Sequence, residues 1–385
     1  MSESTENVRV AVIGLGWMGA VHSRAYGRVR HHYPQGPGAE LLVVADDVPG
    51  RAEAAAAQYG AQRFYTDWRD VVADPEVDAV SVTVPNFLHR EIGCAVLTAG
   101  KHLWIEKPVG LTAADAQAVA AAADAADRRT AVGFNYRNAP AVEAARDLIA
   151  RGDIGVVTHA RFRFFSDYAA HPDGALTWRY QNALGGHGVL GDLASHGADL
   201  VRFLLGDIES LVADTAVFIS ERPEPSAATS GHQLASGGAL GPVENEDYVG
   251  AQLRMVSGAR CVLEASRVSV GEQNSYGFEI HGTTGVVRWD YRRMGELELA
   301  RGTSYQDEPV ASVHVGPGAG EFAVFQPGAA NPMGYDDLKV IEAHRFLSSI
   351  ATGSVVGATV DDAVRSARVL DAIVESVESG AWVSV

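Results

Sequence analysis

The strand-like run Val8–Ile13 leads directly into Gly14-Leu15-Gly16-Trp17-Met18-Gly19, and the segment Ala20–Arg28 beyond it has helical character. A chain passes from strand to helix this abruptly only where the turn is nearly free of side chains. Gly14 permits the tight bend, Gly16 lets backbone approach a pyrophosphate, and Gly19 lets the helix pack closely on the strand. The helix N-terminus then turns its unpaired amides and partial positive charge toward phosphate. The pattern predicts a dinucleotide site at Gly14, Gly16, Trp17, Met18 and Gly19.

The same alternation continues along the first third of the chain. Glu40–Ala45, Ala79–Val84, His102–Ile105 and Thr130–Phe134 are short β-rich runs, with helix-like segments such as Arg51–Tyr59 and Glu91–Ala99 between them. This rhythm predicts a doubly wound parallel sheet. Thr112, with Asp115 three residues later, reads as the N-cap of the Ala-rich helix that follows. After about Asn135 the pattern changes to a helix and then a strand series: Val156–Ser166, Ser210–Ile219, Tyr248–Val256, Ala259–Val268, Tyr276–His281, Gly285–Tyr291 and Glu296–Ala300. Gly-containing turns between consecutive strands predict a largely antiparallel open sheet. Asp336–Ile350 and Asp361–Val377 carry helical spacing of apolar residues. The fold class expected is therefore α/β, with a Rossmann domain over 1–134 and a second α/β domain over 135–385 whose last helices, 336–377, pack back toward the first. Glu221–Val243 and Thr303–Gly334 read as unusually long loops.

Composition narrows the function classes. A length of 385 residues at 47% hydrophobic content is ample for a core and suits two domains. The net charge of −17 repels phosphate backbones and anionic lipid, which argues against nucleic-acid and membrane-surface roles. No apolar run approaches spanning length, and Met1–Asn7 is polar and acidic, so a cytoplasmic protein is expected. The two cysteines, Cys94 and Cys261, suit neither a disulfide framework nor a thiolate metal site.

The remaining polar motifs fall at strand ends. Asp46, favoured over the adjacent Asp47 at the close of the second strand, is placed to accept from an adenosine ribose and to repel a 2′-phosphate, which favours NAD over NADP. Pro85, Asn86 and His89 follow the Ala79–Val84 strand, at the edge where open α/β sheets bind ligands. Glu106-Lys107-Pro108 ends the next strand. Lys107 there can donate to a reacting oxygen and favour its alkoxide, and Glu106 can anchor a ribose hydroxyl. Asp192 and His196 are four apart at the start of a helix and share a face, with the core-facing Leu193, Leu200, Val201 and Leu204 on another. Histidine can take an alcohol proton near neutral pH, and aspartate can fix its tautomer or bind the hydroxyl. Asp192, His196 and His187 lack a convincing ligand spacing, so no metal is expected.

Taken together, Val8–Gly19, Glu106-Lys107-Pro108, Gly133-Phe134-Asn135-Tyr136-Arg137 and Gly191-Asp192 with His196 resemble the Gfo/Idh/MocA family of sugar and inositol dehydrogenases. Leu176–Gln181 and Ile341–His344 look most similar to its levoglucosan and inositol dehydrogenase-like members. The resemblance implies NAD as cofactor and Lys107, Asp192 and His196 as a catalytic trio acting on a secondary hydroxyl of a sugar, anhydrosugar or cyclitol. It further implies Asn135, Tyr136 and Arg137 beside the substrate, and Trp178, Arg179 and Tyr335 beside the cofactor. Assembly as a homodimer or homotetramer through the second domain is implied as well. The acidic residues Asp167, Asp173, Glu244, Glu246 and Asp247, read as a solvated rim, leave an amino sugar or aminoglycoside as an alternative substrate. Two further alternatives are a non-catalytic NAD-binding regulator, which would be expected to lose Lys107 or His196, and a cofactor-retaining enzyme that shuttles hydride between two sugars or carries out redox-assisted elimination.

Overall fold

A computed structural model describes residues 7–225, 233–235 and 237–385. The chain forms two compact units: Met1–Asn135 with Gly334–Val364, and Tyr136–Met333 with Arg365–Val385.

In the first unit β1 (Val8–Ile13), α1 (Trp17–His32), β2 (Ala39–Ala45), α2 (Arg51–Tyr59), β3 (Arg63–Tyr65), α3 (Trp68–Ala73), β4 (Ala79–Val82), α4 (Asn86–Thr98), β5 (His102–Ile105), α5 (Ala113–Ala126) and β6 (Thr130–Val132) follow in turn. The strands form one parallel sheet in the order β3-β2-β1-β4-β5-β6. Val10, Ala11 and Val12 have no exposed surface, which is why β1 is apolar on both faces and lacks alternation. Strand order reverses between β1 and β4, so the turn after β1 and the start of α4 flank the switch point where such sheets bind ligands. Thr112 caps α5 as expected, its side chain accepting from the Asp115 amide.

The second unit contains α6 (Pro140–Ala150), β7 (Val157–Phe165), the short helix α7 (Asn182–Gly185), α8 (Ser195–Leu205), β8 (Ile208–Ala216), β9 (Glu221–Pro223), β10 (Leu240–Pro242), β11 (Tyr248–Met255), β12 (Arg260–Ser266), β13 (Ser275–Gly282), β14 (Gly285–Asp290), β15 (Glu296–Arg301), β16 (Ala311–His314) and α9 (Phe322–Phe325). Then α10 (Tyr335–Thr352) returns to the first unit, α11 (Val360–Ser379) begins there and ends in the second, and β17 (Val383–Ser384) closes the chain. Among the described residues the larger sheet runs β16-β15-β14-β13-β7-β12-β11-β8-β17, antiparallel except where β7 and β12 pair in parallel. Its inner face is apolar, with Phe162, Leu263 and Ala251 buried on adjacent strands.

Both expected loops carry structure. Within 221–243, β9 and β10 pair antiparallel, and residues 226–232 and 236 lie outside the described set. Within 303–334, β16 adds an edge strand to the sheet and α9 supplies a buried Phe322. These three strands are short and poor in β-branched residues, which is why composition hides them.

Candidate functional site

The glycine turn has the geometry its residues dictate. Gly14 sits at φ +86°, a left-handed conformation that disfavours side chains, and a Cβ there would lie 2.9 Å from the Thr83 carbonyl. A Cβ on Gly19 would fall 2.0 Å from the Gly14 oxygen, so α1 approaches the turn more closely than any other residue allows. A Cβ on Gly16 meets nothing, consistent with a face left open to a ligand. Trp17 at the start of α1 is 68% exposed and stacks on Tyr335 from α10, ring centroids 5.2 Å apart, while the Tyr335 hydroxyl donates to Met18 Sδ at 3.5 Å. Asp46 is buried at the end of β2. Its Oδ2 accepts from the Leu15 amide at 2.7 Å, its Oδ1 accepts from Val48 at 2.9 Å, and Arg51 stands 3.3 Å away. This acid therefore braces the glycine turn directly. The turn, the helix N-terminus and the strand-end acid together fit a dinucleotide.

Pro85 precedes the first turn of α4 and Asn86 begins it. His89 is buried one turn on, with Nδ1 2.6 Å from the Pro108 carbonyl and Nε2 2.8 Å from that of Val84. Burial lowers its pKa against the pull of these carbonyls, so the neutral ring donates to one at a time while linking the segments after β4 and β5.

Lys107 follows β5, and the Lys107–Pro108 bond is cis. Glu106 before it is buried. Its Oε1 accepts from His22 Nε2 at 2.9 Å and from Lys339 Nζ of α10. Burial alone would raise its pKa, but the charge of Lys339 and the His22 hydrogen bond hold it well below the ordinary carboxylate range. Asn135 ends the first unit with both amide atoms buried and lacking a hydrogen-bond partner among the described residues. An orphaned amide of this kind suits a polar ligand.

In the second unit, Asp192 and His196 do not lie on a continuous α-helix as the sequence suggests. Leu190–Ala194 forms a π turn, with the Ser195 amide donating to Leu190, and α8 starts only at Ser195. Such a turn admits an extra residue and re-aims the side chains before it. Asp192 Oδ2 accepts from the hydroxyl of Tyr168, and burial followed by the Asp192 charge keeps that phenol protonated far above its usual range. The His196 ring is buried edge-on to Tyr136 at 4.8 Å, and its carbonyl accepts from Tyr276 at 2.8 Å. Tyr136 in turn meets Phe164, Tyr276 and Tyr291, an aromatic wall that restricts the histidine. Arg137 pairs through two nitrogens with Asp199 of α8 and lies over Phe203. Arg179 folds over Trp178 at 4.5 Å.

The acidic residues read as a solvated rim are largely engaged. Asp247 is fully buried and accepts from Arg267 at 2.8 Å and from the Phe218 and Ile219 amides. Glu246 accepts from the Leu190 amide, Glu244 from the Asn182 amide, and Asp167 from Gln273; Glu244 and Asp173 are exposed and fit the rim expectation in that respect. A hollow of about 210 Å³ lies elsewhere, on the outer face of the large sheet among His159, Arg161, Cys261, Glu279, His281 and Trp382. Sequence reasoning missed Tyr168, His22, Lys339 and Glu342. Only the last pair left a trace, as a Lys and Glu three apart inside an otherwise apolar stretch of α10.

The parallel sheet with its switch-point glycine turn, joined to a second unit on an open mixed sheet, defines an NAD-dependent oxidoreductase. Residues 8–134 match the model of the oxidoreductase family with NAD-binding Rossmann fold, and residues 142–288 match the GFO/IDH/MocA C-terminal domain; the chain belongs to this family. It is 35% identical to levoglucosan dehydrogenase of Pseudarthrobacter phenanthrenivorans, over 99% of this chain and 98% of that one. It is 26% identical to inositol 2-dehydrogenase of Rhizobium meliloti, over 98% and 99%. A solved levoglucosan dehydrogenase in complex with NADH and L-sorbose superimposes with a TM-score of 0.93 at 35% identity, covering 99% of each chain. Among the described residues no helix is long and apolar enough to cross a membrane.

Proposed function

We propose that the protein is a dehydrogenase that oxidises a secondary hydroxyl of a sugar, anhydrosugar or cyclitol to a ketone. The observation that carries this reading is the match along essentially the whole chain to levoglucosan dehydrogenase, in sequence and in fold. NAD, held by Gly14, Gly16, Gly19 and Asp46 with Trp17, Met18 and Tyr335 beside them, supplies the hydride acceptor when bound. His196 accepts the hydroxyl proton, and Lys107 donates to the oxygen as negative charge develops on it. Asp192, steadied by Tyr168, orients the substrate hydroxyl. Asn135 offers its amide to a second hydroxyl, and Arg137 acts through α8 by holding Asp199. Pro85, Asn86, His89, Trp178 and Arg179 complete the cofactor environment in this reading. Reduction of a ketone uses the same groups in reverse. The carboxylates that favoured an amino sugar are mostly committed to amides and Arg267, which weakens that alternative.

The test is NADH absorbance with NAD and NADP in parallel against levoglucosan, neutral sugars, inositols and aminoglycosides. Turnover confined to anhydrosugars, sugars or inositols with NAD is expected. Turnover confined to aminoglycosides, or silence across the panel with NADH bound, would overturn the reading. We also propose a homodimer or homotetramer built on the outer face of the large sheet, where His159, Arg161, Arg260 and Val262 are exposed, and sedimentation of the purified protein decides it.

A further inference from the structure

Lys339 is an ammonium with no exposed surface, in the second turn of α10. Removing such a charge from water costs several kcal/mol and requires close compensation. Its Nζ donates to Glu106 Oε1 and, at 3.0 Å, to Glu342 Oε1. Trp104 Nε1 also donates to Glu342 Oε1, at 2.7 Å, and the His22 ring stacks on Trp104 with centroids 3.6 Å apart. Glu106 is thus held from two sides through Oε1, which leaves Oε2 facing the main chain, where the Lys107 amide lies at 3.3 Å. Gly133 makes room for this seat, because a Cβ there would fall 2.3 Å from Glu106 Oε2.

The charges are graded. Burial and the neighbouring Glu106 charge push Glu342 up to about 7 against the pull of Lys339, whereas Glu106 is held ionised. Lys339, raised by both carboxylates against burial, stays charged. The ammonium and Glu106 therefore form the principal pair. His22, Glu106 and Glu342 lie close enough together to suggest a metal set, but Lys339 Nζ already bonds both carboxylates and supplies the cation.

We propose that Lys339 is a positioning residue for Lys107: by clamping the Glu106 carboxylate from α10 it fixes the main chain at 106–108 and so aims the Lys107 ammonium. This rests on the reading of Lys107 as the donor to the reacting oxygen. The consequence is large, since misplacing a catalytic group by 1 Å costs on the order of a hundredfold in rate.

Two measurements on the full-length protein test it. Hydrogen exchange read by mass spectrometry on Lys339→Met should rise in peptides covering 106–111 and stay at the parental level over 14–20. Unchanged exchange at 106–111 in folded protein would overturn the proposal. Should Lys339→Met fail to fold, Gly133→Ala, which unseats Glu106 sterically, takes its place with the same expected result and the same refutation. The second measurement compares kcat for Lys107→Ala, Lys339→Met and the double variant, with NAD and levoglucosan as probe. Lys339→Met should lower kcat about tenfold or more, and should cost nothing further in the Lys107→Ala background. Losses that multiply would show Lys339 acting independently of Lys107. Parental turnover in Lys107→Ala would instead remove Lys107 from the mechanism, and the exchange result would still decide whether α10 holds the turn.

Discussion

Asp192 illustrates how one hydrogen bond alters what a carboxylate can do. The Tyr168 hydroxyl donates to its Oδ2, and that bond holds the direction in which the carboxylate faces. A hydrogen bond to a charged group is worth about 1.5–3 kcal/mol, so Tyr168→Phe should lower kcat/KM about tenfold or more. Steady-state kinetics check the loss, and a fluorescence titration should show NADH affinity unchanged. Lys107→Ala should cost about 10²–10³ in kcat, the range for removing a donor from a developing oxyanion. His196→Ala should cost about 10²–10⁴ in kcat, the range for removing a positioned general base, as steady-state kinetics would read. Normal turnover in either variant would strike that residue from the mechanism.

At the level of elements, the contact between α1 and the turn after β1 concentrates the cofactor site into one close approach. Gly19→Ala places a Cβ 2.0 Å from the Gly14 oxygen, and the turn must open to admit it. At about 1–3 kcal/mol for overpacking, NADH affinity should fall roughly tenfold, measurable by the same titration; unchanged affinity would mean the turn does not set the cofactor seat. This part of the fold was legible because strand, glycines and helix are contiguous and each obeys a local rule. The boundaries of β1, β5 and α2 fall where residue pattern places them. Elsewhere the signal was weaker or absent. β3, with only Arg63-Phe64-Tyr65, is too short to show a period, and the π turn before α8 differs from an α-helix by a hydrogen-bond shift that the residues Leu190–Ala194 do not announce. Tyr168 and Asp192, or Glu106 and Lys339, are partners only through tertiary folding, so no spacing in one chain reveals them. The catalytic candidates were visible as motifs, and the groups that hold Asp192 and Glu106 were not.

On the scale of the whole molecule, the cluster around Lys339 links stability to pH in a way that nearly cancels. Burial lowers His22 from its usual 6.5 to about 4, so the unfolded chain binds more protons between those values and the group's contribution to stability rises with pH across that window. Glu342 is raised from 4.5 to about 7, so here the folded chain binds more protons and its contribution falls as pH rises across nearly the same interval. Folding in effect moves a proton from the histidine to the carboxylic acid. From about pH 4.5 to 6.5 the two slopes oppose each other, and the parental protein should show little pH dependence from this cluster. Glu342→Gln keeps an oxygen for Trp104 and Lys339 but cannot titrate, which leaves the His22 slope uncompensated. Chemical denaturation of this variant should therefore show stability increasing from pH 4 to 6.5, by roughly 3 kcal/mol for a shift of that size. A variant whose stability follows the parental pH curve would show that His22 and Glu342 do not exchange a proton on folding, and that the balance of charge around Lys339 is struck by Glu106 alone.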